Sequence, residues 1–136
     1  MPDAVIFQYQ NKVHTVYFSQ SNAILPVKLK NGELKLVTWG RRLRENSIMP
    51  LGGWALRSSI HEGKWDYFIP KPVKLPIEKF MQIDYEGHIQ WYEVIKSQWI
   101  QGVLLQEENE CRVYIMTVVP ERLDIYYNRW PRIVTG

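Results

Sequence analysis

Apolar and polar positions alternate along this chain in short runs. Residues 4–9 and 13–18 are rich in β-branched and aromatic side chains with polar ones interleaved, and Gln10-Asn11-Lys12 separates them. That pattern predicts two strands. Residues 24–29 and 33–39 repeat it around Asn31-Gly32, the strongest short signal for a β-hairpin. Residues 40–53 read as a long loop, broken by Arg41-Arg42, Pro50 and Gly52-Gly53. Residues 54–61 fit a short helix and an extended segment equally well. Residues 70–76 hold three prolines, which lack backbone donors, so this stretch predicts an extended surface crossing rather than a central strand. Residues 80–85, 89–95, 99–105 and 112–119 predict four further strands, expected to form one antiparallel sheet. The fold class is therefore α+β, mostly antiparallel β, a curled sheet or open barrel with few short helices.

Composition changes this picture little. The 136 residues fit a single domain spanning 1–136, and 46% hydrophobic with 23% charged residues is ordinary globular usage. The first residues show no signal peptide, and no stretch reaches the length of a membrane helix. With Cys111 the only cysteine, a disulfide within the chain is impossible, and a reducing, cytoplasmic setting is the expectation. His14, His61 and His88 lack ligand spacing, so neither a metal nor a cofactor is expected.

Charge is more informative in its distribution than in its total of +3. Residues 28–44 carry six basic side chains (Lys28, Lys30, Lys35, Arg41, Arg42, Arg44) against one acid, Glu33. Aromatic and basic residues also adjoin: Trp39 beside Arg41 and Arg42, Trp54 near Arg57, and Tyr126-Tyr127-Asn128-Arg129-Trp130. Rings that stack on bases and guanidinium groups that pair with phosphates are what a single-stranded nucleic acid site requires. Core tryptophans with arginines at strand ends explain the same pattern equally well. Asp84 and Glu86, two apart, share a face if that segment is a strand, where paired carboxylates can do acid–base work. Two solvated carboxylates flanking a turn is the plainer reading.

The order of segments resembles the SRAP family, named for SOS-response-associated peptidases, whose members shield abasic sites in single-stranded DNA. Four stretches carry the likeness: Val37-Thr38-Trp39-Gly40; the strand of residues 78–86 ending in Tyr85-Glu86; Gln98-Trp99-Ile100-Gln101-Gly102-Val103-Leu104; and residues 113–118 followed by Tyr127-Asn128-Arg129-Trp130-Pro131-Arg132-Ile133-Val134. The resemblance implies an SRAP-like fold and a single-stranded or abasic-site DNA partner. The family captures the sugar aldehyde with an N-terminal cysteine, where this chain has Pro2. The family histidine aligns with Tyr127, and the Asn-Ala-Arg element is echoed only by Trp54-Ala55-Leu56-Arg57. Glu86 is the acid the alignment retains.

The expected function is thus binding of single-stranded or abasic-site DNA without the cysteine crosslink, through Trp39, Arg41, Arg42, Arg57, Tyr127 and Arg129. A catalytically inactive protein-interaction module is the alternative. A third reading is a weak lyase, in which a free Pro2 amine attacks the aldehyde and Glu86 moves the proton.

Overall fold

The computed structural model describes residues 1–120, 127 and 129–136. Two antiparallel strands open the chain, β1 (Pro2–Tyr9) and β2 (Lys12–Tyr17), and β3 (Ile24–Lys28) and β4 (Leu34–Trp39) follow. The expected hairpin joins β3 to β4 through a three-residue loop, Lys30-Asn31-Gly32, pairing Ile24 with Thr38 through Lys28 with Leu34. Gly32 sits at φ +88° in the turn, where a side chain is disfavoured. The 40–53 loop is closed by an Arg41–Gly52 bridge, and Gly40 at φ +55° leaves its Cβ position only 2.2 Å from the Gly52 carbonyl oxygen.

Both readings of residues 54–61 are realised in succession: β5 (Trp54–Leu56) runs directly into α1 (Arg57–His61). A 3-10 turn at Asp66–Phe68 leads to β6 (Lys71–Leu75), then β7 (Lys79–Ile83), β8 (Ile89–Glu93), β9 (Gln98–Glu107), β10 (Glu110–Val118), β11 (Trp130–Pro131) and β12 (Ile133–Thr135).

Two sheets result. β2-β1-β7-β8 is an open antiparallel sheet. β4, β3, β6, β9 and β10 close into a five-stranded barrel, with β5, β11 and β12 added along β10 and β9. The fold is β-rich with few helical residues, as the alternation implies. Two details correct the sequence reading. The strands between residues 80 and 119 do not form one sheet, because β9 already has β6 on one edge and β10 with β12 on the other. No edge remains for β8, which stays with β7 in the open sheet. The proline-rich stretch is a barrel strand rather than a surface crossing: β6 pairs with β9 over five residues. It meets β3 only at Lys28–Lys74. Most of that edge therefore carries no ladder, and an unladdered edge is where a strand tolerates proline.

The open sheet packs across the barrel. Val5, Phe7 and Phe80 from the sheet meet Leu25, Trp39, Leu75, Ile100 and Ile115 from the barrel in one buried cluster. A smaller cluster of Met49, Ala55, Leu105 and Tyr114 lies under α1 and the 3-10 turn. No helix among the described residues is long and apolar enough to cross a membrane.

Candidate functional site

Antiparallel pairing of β1 with β7 sets Pro2 opposite Gln82. β5 reaches the same place from the barrel, and the Trp54 indole Nε1 donates to the Pro2 carbonyl at 2.8 Å. Gln82 is wholly buried, and its Nε2 donates to the Arg129 carbonyl at 3.0 Å. Its Oε1 has no hydrogen-bond partner among the described residues. An N-terminal cluster, the notch, thus gathers Pro2, Trp54, Gln82 and Arg129, four residues widely separated in sequence, with Pro2 and Gln82 buried and Trp54 and Arg129 partly exposed.

Electrostatics set what these groups can do. Burial lowers the Met1 amine below its ordinary pKa; Asp3 opposes that shift and Arg129 adds to it. Burial raises Asp3, partly offset by the same amine. Beside the notch, the Tyr92 and Tyr127 hydroxyls meet at 2.5 Å, and both rings pack on Trp130. Burial together with that hydrogen bond pushes Tyr127 up to about 12. Its phenol is neutral at physiological pH and serves as a packed hydrogen-bonding group, not a base.

The other expected residues divide sharply. Trp39 is fully buried, its Nε1 donating to the Gly53 carbonyl at 3.0 Å and its ring packed edge-on to Phe18 and Trp54. No base can reach it, so its assignment as a stacking residue is corrected: it belongs to the core. Arg42 is also buried. It donates to the carbonyls of Phe18 and Gly40, pairs with Glu45 at 3.0 Å, and lies over the Phe18 ring. With its donors spent internally, it is a structural residue and not a phosphate ligand. Arg41 is half-buried and braces its own loop through the Glu45 and Met49 carbonyls. Arg57 stands exposed at the start of α1, and Arg129 is half-buried at the notch.

Glu86 does not face Pro2 in the strand pairing. It lies in the exposed turn between β7 and β8, where Asp84 accepts the backbone N–H groups of Glu86 and His88 and the His88 ring lies 3.6 Å from the Glu86 carboxylate. Burial raises Asp84, but those two N–H groups outweigh it and hold the carboxyl below its ordinary range. The residue facing Pro2 is an amide, Gln82, which neither takes up nor gives up a proton near neutral pH. Tyr126 and Asn128 lie outside the described residues. Among those residues no group of His, Cys, Asp and Glu has a metal-holding arrangement.

Sequence reasoning passed over Gln82 and Tyr92 as site residues, and noted Trp54 only as a neighbour of Arg57. The signal for Gln82 is a lone amide inside the apolar run Phe80-Met81-Gln82-Ile83. Compared with protein-family models, curated proteins and solved structures, the chain matches none.

Proposed function

We propose that this chain is a single-stranded-DNA-binding module, resembling the SRAP family in layout, that holds its ligand without a covalent bond. The observation that carries the proposal is the convergence of the N-terminus, Trp54, Gln82 and Arg129 on one notch. Those are the segments the resemblance brings together, and here they offer stacking and hydrogen bonding. Trp54 is partly exposed, and an indole presents a face to any base. Gln82 is wholly buried and holds the Arg129 carbonyl, so it shapes the site from within rather than meeting a base.

The test is titration of labelled single strands, with and without one abasic site, into the protein. Trp54→Ala is expected to weaken binding by roughly 1–3 kcal/mol if a base stacks there, and Gln82→Ala to weaken it also. Unchanged affinity in both variants with folding intact would refute the notch as the site.

One observation favours the second reading, a protein-interaction module. Leu43, Ile48 and Leu51 on the 40–53 loop are 81%, 60% and 57% exposed. Leu43 and Leu51 also line one shallow apolar surface, and exposed apolar side chains brought together in this way mark protein contacts. A wild-type protein indifferent to single strands at low salt would turn the case toward that surface.

A further inference from the structure

We propose that a lysine-lined groove on the barrel holds the phosphate backbone of a single-stranded nucleic acid. The inference rests on the reading of the chain as a single-strand binder, but not on the notch, with which the groove shares no residue. The groove, of about 710 Å³, is lined by Lys28, Lys30, Lys71 and Lys74 with Val73 and Leu104 among its apolar lining, and no Asp or Glu lines it. Among the described residues none of the four lysines lies within ion-pair distance of a carboxylate side chain.

The arrangement is costly as it stands. Lys28 and Lys74 are direct cross-strand partners, and like charges set opposite each other destabilise a sheet. Their ammonium groups are gathered rather than splayed: Lys28 Nζ lies 4.3 Å and Lys74 Nζ 5.8 Å from the centroid of the Trp99 ring. The indole quadrupole attracts both cations. Lys74 also donates to the Gly136 carbonyl oxygen, which leaves two further donors on its ammonium. Lys71 also lines the groove, three residues back along β6, roughly 10 Å by strand rise and at the opposite phase of the strand's alternation from Lys74, and Lys30 extends the charge into the hairpin turn. One phosphate cannot span lysines so spread, whereas successive phosphates of a strand can. Ammonium groups are point-charge donors suited to phosphate oxygens. The apolar lining, Leu29, Val73 and Leu104 among it, offers bases a surface beside the lysines.

The experiment measures anisotropy of a labelled oligothymidylate across a potassium chloride series. It compares wild type, Lys28→Gln/Lys74→Gln, the quadruple Gln variant that adds Lys30→Gln and Lys71→Gln, and Trp54→Ala/Gln82→Ala. For every phosphate that a removed lysine had neutralised, the slope of log affinity against log salt should flatten by about 0.7. The quadruple variant should bind at least tenfold more weakly at low salt. Its melting temperature should hold or rise, because the opposed charges are gone. Wild-type slope and affinity in the quadruple variant would overturn the groove while leaving the single-strand reading intact. Weaker binding by the lysine variants with normal binding by Trp54→Ala/Gln82→Ala would support the groove and overturn the notch. No binding by wild type would overturn both. Polyglutamate competing as well as the oligonucleotide, charge for charge, would overturn the assignment to nucleic acid in favour of an acidic polypeptide.

Discussion

The guanidinium of Arg42 reaches the carbonyls of Phe18 and Gly40 and the carboxylate of Glu45, and Arg112 grips the same carboxylate at 2.6 Å. This network ties the 40–53 loop to β10. Burial pushes Glu45 up, but the hydrogen bonds from Arg42 and Arg112 outweigh it and hold its pKa at about 2. The folded pKa lies below the unfolded one, so the stabilisation is full above the ordinary carboxylate pKa and drains away as pH falls toward 2. Discounted for a carboxylate partly open to solvent, the effect is about 1–2 kcal/mol. Urea midpoints at pH 7 and pH 3 should therefore fall further apart in wild type than in Glu45→Gln, which lacks the titrating group. The same fall in both proteins would show that the network contributes nothing. By the same reasoning Arg42→Ala loses stability, because it takes the Glu45 carboxylate's main donor away, and does not act on a DNA contact with the fold intact.

At the scale of elements, the β-hairpin at Asn31-Gly32 was legible because turn chemistry and alternation agree over a dozen residues. Gly32 and Gly40 separate two costs of adding a Cβ. At Gly32 nothing lies within 4 Å, so Gly32→Ala meets only the backbone preference against positive φ, about 1 kcal/mol. At Gly40 the added carbon also meets the Gly52 carbonyl, so Gly40→Ala should cost several times more in denaturation midpoint. Equal losses would mean that the loop gives way freely. What the pattern could not carry was which strands share edges. Pairing of β6 with β9, and the separation of β8 from β9, depend on tertiary contacts between strands whose local sequences look alike. The same limit governs the site. Trp39-Gly40-Arg41-Arg42 has the composition of a nucleic-acid contact, but composition does not tell which side chains a closed barrel turns inward. Gln82 was hidden, and Trp54 was seen only as a neighbour of Arg57, for the converse reason: their meaning comes from Pro2, brought beside them only by the closed fold.

For the whole molecule, the layout bears on whether the proposed DNA ligand would be captured covalently or simply bound. Covalent capture of an abasic aldehyde needs an unprotonated nucleophile and a neighbouring group that changes its protonation as the bond forms. With Met1 in place the Pro2 nitrogen belongs to a peptide bond, and Pro2 is buried with its carbonyl held by Trp54. Its cross-strand neighbour Gln82 neither takes up nor gives up a proton near neutral pH, and Tyr127 stays protonated far above neutral pH. Glu86 stands in the exposed β7–β8 turn rather than opposite Pro2 in the strand pairing. Unless the half-buried Met1 amine itself attacks beside Asp3, a complex with an abasic-site oligonucleotide should dissociate fully at high salt and leave no adduct after borohydride treatment, and Glu86→Gln should bind as wild type does. An adduct that survives denaturation would overturn this account. If Glu86→Gln slowed its formation, the turn would have to swing onto the N-terminus. If Glu86→Gln left it unchanged, the amine of Met1 with the half-buried Asp3 would be the pair to mutate next.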